Sequence, residues 1–276
     1  MTFRGWTVKP LLRVWAAGAF LLVPGCAVKG ALLPNDDGAL ERLLIITLHK
    51  RPVELHVARR RGEPTGAPLV LYVTGDGGWR GADPLVFRTL VQWGYPAAGM
   101  EARGYLDHLG DLDLKATPRR LAQDYASIAT RARHELGIPA TTPLVLVGFS
   151  RGAGLAVLAA SQRSLRASLL GVVAVALTRE EDELQLEPEA APDQGRVGTI
   201  NPYQLLPRLG ALPVVVLQST RDHYVAAAEA RRLLGDDTPW RRLVAIDSDS
   251  HTFGGARDKL LEALRASLRW IAGTPP

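Results

Sequence analysis

The chain has 276 residues, 47% of them apolar and 22% charged, with a net charge of +5. That length and balance fit one large globular domain with a sizeable core, and exclude a disordered, repetitive or collagen-like chain. Three of the positive charges sit in the first 13 residues, leaving +2 for residues 26–276. With no Lys/Arg cluster interleaved with aromatics, nothing points to nucleic acid as a partner.

Arg4, Lys9 and Arg13 precede the apolar stretch Val14–Val23, which is too short to span a bilayer. The stretch ends at Val23-Pro24-Gly25-Cys26, and Cys26 is the only cysteine. A small residue before a lone cysteine at this place looks like a bacterial lipobox. Residues 1–25 therefore read as a lipoprotein-type signal peptide, with lipidation at Cys26 anchoring the protein to a membrane in the periplasm. A plain signal peptide and an uncleaved anchor remain the alternatives. A single cysteine leaves no internal disulfide.

Residues 26–40 read as a tether, and 41–276 as the folded domain. Leu43–Leu48 and Val53–Val57 read as a hairpin, and Arg59-Arg60-Arg61 as a solvated loop after it. Leu69–Val73 is a buried strand. Asp83-Pro84 reads as N-cap and first residue of a helix stopped by Gly94, and Pro96–Met100 as a short strand. Thr117-Pro118 opens a second helix. In it Leu121, Tyr125, Ile128, Ala129, Ala132 and Leu136 recur at helical spacing as far as Gly137.

Strands follow at Pro143–Val147 and Leu169–Leu177. The acidic stretch Arg179–Gln194 then reads as a loop or small cap. Pro213–Leu217 is a strand, Val225–Leu234 a helix, Leu243–Ile246 a strand and Ala256–Ile271 the closing helix. This alternation predicts an α/β fold with a mostly parallel sheet flanked by helices.

The most informative stretch is Gly148-Phe149-Ser150-Arg151-Gly152, a G-x-S-x-G between an apolar strand and an apolar helix. There a serine is carried through a sharp turn that only small neighbours permit, and its hydroxyl is lifted clear of the sheet. This nucleophile elbow on a central strand points to the α/β-hydrolase arrangement.

A serine hydroxyl needs a base, and the base needs an orienting acid, in chain order Ser…Asp/Glu…His. After Ser150 the histidines are His223 and His251. His251 follows the strand Leu243–Ile246. Asp222 follows the strand Pro213–Leu217, 29 positions before His251. The assignment is Ser150 nucleophile, His251 base and Asp222 orienting acid. His223 reads as a surface residue at a helix start, and Asp247 and Asp249 lie too close before His251 to orient it.

The oxyanion hole is expected from the backbone N–H of Arg151 and from the glycine loop Thr74-Gly75-Asp76-Gly77-Gly78-Trp79-Arg80, with Asp76 and Gly77 as donors. His49, His56, His108 and His134 show no metal-ligand spacing, and no nucleotide fingerprint occurs. Neither metal nor cofactor is expected.

Gly75-Asp76-Gly77-Gly78-Trp79-Arg80 after a buried strand, Gly-Phe-Ser-Arg-Gly-Ala at the elbow and the late Ser-His-Thr-Phe together resemble the VirJ/AcvB family of bacterial virulence-associated α/β hydrolases. The family shows Ser-Phe-Gly where this chain has Ser150-Arg151-Gly152, and a double histidine where it has Ser250-His251. The resemblance implies export to the periplasm and hydrolysis of lysyl-phosphatidylglycerol, an aminoacyl ester of a membrane phospholipid. It leaves two alternatives. One is a general carboxylesterase or lipase-like acyl hydrolase; the other is a non-catalytic virulence or secretion factor on a hydrolase scaffold.

Overall fold

The computed structural model describes residues 33–34, 38–62, 66–179 and 200–274. The leader, Cys26 and the acidic run Glu180–Glu183 of the expected loop or cap lie outside the described residues.

The chain opens with three strands, β1 (Leu33–Pro34), β2 (Ala39–Leu48) and β3 (Arg51–Arg60). Strand and helix then alternate: β4 (Leu69–Val73), α1 (Asp83–Gln92), β5 (Ala97–Met100), α2 (Ala102–Gly110), α3 (Pro118–Leu136), β6 (Leu144–Phe149), α4 (Arg151–Ala160), α5 (Arg163–Arg166) and β7 (Leu169–Val175). A 3₁₀ helix (Pro202–Leu209), β8 (Val214–Ser219), α6 (Ala227–Leu234), β9 (Arg241–Ile246) and α7 (Arg257–Gly273) complete it.

The nine strands among the described residues form one sheet in the order β1-β2-β3-β5-β4-β6-β7-β8-β9. The pairings from β5 to β9 are parallel, and β1, β2 and β3 add an antiparallel edge. The inner strands are continuous apolar runs because both faces are covered. In β4, Leu69, Leu71 and Val73 pack among the side chains of α2, α3 and α4. Val70 and Tyr72, on the other face, pack with α1 and α7. Residues 152–160 of α4 are buried throughout, so the helix behind the elbow carries no polar face.

The elements follow the sequence expectations with physical exceptions. β1 and the first residues of β2 fall within 26–40, so part of the span read as a tether is sheet edge. Arg59 and Arg60 end β3 instead of forming a loop, because the hairpin pairs through Ala39↔Arg60. Asp83 is not the N-cap of α1; Ala82 is, and Asp83 is the first helical residue. Its carboxylate is drawn inward to buried partners described below. Thr117 does cap α3, accepting from the Arg120 N–H at 3.2 Å, and Gly137 closes it at φ 64°.

Candidate active site

The elbow lies where β6 meets α4, at the carboxyl edge of the parallel strands. Ser150 has φ 51° and ψ −118°, a backbone conformation that a residue with a Cβ adopts only when its surroundings enforce it. Two contacts enforce it. The Ser150 N–H donates to the Val175 carbonyl at the end of β7 (2.8 Å), and the Ala153 N–H to the Ser150 carbonyl (2.9 Å). The flanking glycines are steric necessities: a Cβ on Gly148 would overlap the Gly152 backbone, and one on Gly152 would overlap the Val73 and Thr74 carbonyls.

Three side chains distant in sequence meet at this turn. His251 Nε2 lies 2.7 Å from Ser150 Oγ. His251 Nδ1 lies 2.7 Å from Asp222 Oδ2. Both Asp222 and His251 are buried, whereas Ser150 is half-buried at the turn. Asp222 is itself held: its Oδ2 accepts from Gln218 Nε2 (3.2 Å) and its Oδ1 from the Tyr224 N–H (2.8 Å). An aspartate accepting at Nδ1 fixes the imidazole orientation that aims Nε2 at the hydroxyl.

The loop carrying His251 is tied to the turn after β8. The Ser248 carbonyl accepts from Ser219 Oγ (2.8 Å) and from the Arg221 N–H (3.1 Å). Arg221 also pairs with Asp247 and Asp249, the carboxylates nearest His251 in sequence. Those acids thus staple the loop and leave Asp222 as the partner of the imidazole. His223 is exposed, as expected, but it lies in the bend before α6 and not at the helix start, and its ring lies 5.9 Å from that of His251. Tyr224, 61% exposed, stands edge-on to His251 at 4.7 Å. Its role as a wall of the site had no signal in the sequence beyond adjacency to Asp222.

The glycine loop faces the elbow directly: a Cβ on Gly75 would lie 3.3 Å from Ser150 Cβ. Its anchors are acids. Asp83 Oδ1 accepts from the Gly75 N–H (3.3 Å) and from the buried Tyr72 hydroxyl (2.8 Å). Glu101 Oε1 accepts from the Trp79 N–H (3.0 Å). The Trp79 ring packs on His56 (4.3 Å) and Phe87 (5.3 Å), over Gly99, where any side chain would collide with it.

Among the described residues, the N–H groups of Asp76 and Gly77 donate to no protein acceptor. They remain available at the loop tip, on the strand end next to Ser150. Arg151 is the first residue of α4, where backbone N–H groups project from the helix end toward the turn. The Asp76 carboxylate does not fold back on its own loop; it binds Arg151 Nε at 2.6 Å.

Burial dominates the electrostatics behind this loop. Asp83 is pushed up to about 6 by desolvation, opposed by its hydrogen bonds from Tyr72 and Gly75 and reinforced by the nearby Glu101 charge. The Tyr72 hydroxyl is raised well above its ordinary range, by burial and then by Asp83.

Comparison with solved structures gives the same architecture. The chain is similar to Est1E from Butyrivibrio proteoclasticus, at 17% identity over 83% of this chain and 99% of that one, with a TM-score of 0.60. It is similar to the Klebsiella pneumoniae protein designated a dienelactone hydrolase, at 18% over 85% and 99%, with a TM-score of 0.64. It is also similar to Thermogutta terrifontis esterase 2 phosphorylated by paraoxon, at 17% over 86% and 96%, with a TM-score of 0.56. At these identities the likeness carries the fold, which is that of the α/β hydrolases. No curated protein matches the chain. Residues 68–182, which hold both the glycine loop and the nucleophile elbow, match the family described as bacterial virulence protein (VirJ).

Proposed function

We infer that this protein is an exported serine hydrolase that cleaves ester bonds, and that its substrate is the aminoacyl ester of lysyl-phosphatidylglycerol. The observation that carries the chemistry is the continuous line Asp222–His251–Ser150, with 2.7 Å at each junction. Those distances lie within hydrogen-bond reach of a nucleophile and its base.

The chemistry follows from the placement. Ser150 Oγ attacks the ester carbonyl carbon while its proton passes to His251 Nε2. The imidazolium formed is stabilised by the Asp222 carboxylate at Nδ1. The carbonyl oxygen becomes an oxyanion beside the N–H groups of Arg151, Asp76 and Gly77. Collapse breaks the ester bond, and the leaving alcohol takes the proton from Nε2. Water then repeats the sequence on the acyl-serine, releasing the carboxylic acid and restoring Ser150.

The substrate rests on the VirJ resemblance, and the membrane setting on the leader and Cys26. A lipid-anchored esterase would reach a lipid ester without leaving the bilayer surface. Labelling by a fluorophosphonate tests the nucleophile: the unsubstituted chain is expected to label and Ser150→Ala to remain unlabelled. Incubation with lysyl-phosphatidylglycerol tests the substrate. Release of free lysine, abolished in Ser150→Ala, is the expected result. Turnover of simple acyl esters alone would reject the lipid substrate and leave a general carboxylesterase. Absence of labelling would leave a non-catalytic scaffold.

A further inference from the structure

A second site is built from arginine. A cleft of about 730 Å³ opens between the first turns of α3, the α4–α5 junction and the end of the 3₁₀ helix. Arg119, Arg163, Arg166 and Arg208 line it, together with Gln162 and Ser164, and no carboxylate lines it. Several arginines outside the cleft find acids: Arg42 and Arg131 pair with Glu135, Arg151 with Asp76, Arg179 with Glu229, Arg221 with Asp247 and Arg231 with Asp237. The four arginines of the cleft pair with no carboxylate among the described residues.

Gathering four cations without a counter-charge costs energy through their mutual repulsion, and a bound anion reverses that sign. The arrangement is also braced. Arg166 Nη1 donates to the Arg208 carbonyl, which ties α5 to the end of the 3₁₀ helix. The remaining guanidinium forks, the Gln162 amide and the Ser164 hydroxyl are donors facing one space. Planar guanidinium groups match the oxygens of a phosphate two at a time. The side chains that line it are arginine, glutamine and serine, which suit an anionic head group.

We propose that this cleft binds a phosphate-bearing anion at a position separate from the Ser150 site. The separation is set by α4, whose ten residues run from the elbow to Ser161 at the cleft, about 15 Å at 1.5 Å per residue. Binding there leaves the nucleophile, its base and the glycine loop untouched. The inference does not depend on the esterase reading.

The test uses the full chain with two kinds of probe. Titration calorimetry with inorganic phosphate and glycerol 1-phosphate reads a soluble phosphate. Co-sedimentation with phosphatidylcholine vesicles, with and without phosphatidylglycerol, reads a lipid head group. Arg163→Ala and Arg208→Ala are exposed substitutions, and Arg257→Ala removes the same charge from α7, away from the cleft. The expected result is saturable binding of at least one probe, weakened about tenfold or more in Arg163→Ala and Arg208→Ala and unchanged in Arg257→Ala. Binding of the vesicles alone assigns the phosphate to a lipid, and binding of the soluble anions alone to a free phosphate ester. Turnover of a small ester should be the same in all four proteins. No binding of any probe, or equal loss in Arg257→Ala, overturns the proposal.

Discussion

Arg151 Nε and Asp76 Oδ1 lie 2.6 Å apart, so the residue after Ser150 is ion-paired to the loop that faces it. Arg151 occupies the position where the VirJ/AcvB family shows phenylalanine. The pair joins the two backbone segments assigned to the oxyanion, the start of α4 and the glycine loop. Arg151 is mostly covered and Asp76 half-exposed, so the pair adds little stability, about 0.5–1 kcal/mol. Its effect should fall on geometry. Arg151→Ala and Asp76→Ala are each expected to lower kcat about tenfold with little change in melting temperature. If the two form one latch, the double substitution should be no worse than the larger single effect. Additive losses in kcat would sink the latch.

The three residues of the proposed catalytic line should fail together. Ser150→Ala and His251→Ala are expected to lower kcat about 10⁴–10⁶-fold, and Asp222→Asn about 10⁴-fold. Asp247→Asn and Asp249→Asn should each cost far less, because those acids brace Arg221. Steady-state kinetics on a chromogenic ester compares all five. A loss in Asp247→Asn as deep as that in Asp222→Asn would reassign the acid.

Asp83 makes a prediction about stability and pH. Its folded-state value of about 6 is above the ordinary carboxylate value of 3.8. Between those two pH values the folded chain holds the proton and the unfolded chain has lost it, so this group makes stability fall as pH rises. Above pH 6 the loss is complete, at about 2–3 kcal/mol. Asp83→Asn keeps an oxygen to accept from Tyr72 and Gly75 but cannot ionise. It should flatten the slope between pH 4 and 6 and raise stability at pH 7.5, as read by urea unfolding at each pH. An unchanged slope would mean that Asp83 does not titrate there.

The elbow glycines set a steric test. Gly152→Ala places a methyl group into the Val73 and Thr74 carbonyls, which are backbone and cannot swing aside. A loss of about 3 kcal/mol or more is expected, with poor recovery of folded protein. Gly77→Ala meets nothing within 4 Å and should change stability by less than about 0.5 kcal/mol. Thermal melts of the two variants separate these outcomes.

The parts legible in the sequence were those with short-range causes. The apolar run ending at Gly148 and the capped stripe of α3 announce themselves locally. The order of Ser150, Asp222 and His251 follows from one elbow and the few acids and histidines after it. What stayed hidden depends on partners brought from elsewhere. Asp83 resembles an N-cap until Tyr72 and the Gly75 N–H are folded against it. Nothing local to Asp76 marks it as the partner of Arg151, which arrives from the far side of the elbow. α2 carries no start signal, since its N-cap Glu101 is occupied with the Trp79 N–H instead of capping the helix. The arginine cleft draws on α3, α5 and the 3₁₀ helix, and no single stretch of sequence shows four arginines together.

The line from Ser150 to His251 also has a meaning in time. Its ends are 101 positions apart, and the acid and base arrive with β8, β9 and the segment before α7. Closing so long a stretch is slow relative to forming helices. During refolding, helical signal should therefore recover before turnover of a chromogenic ester does. On the proposed reading, Ser150 would gain its base only once the segment after β9 has docked.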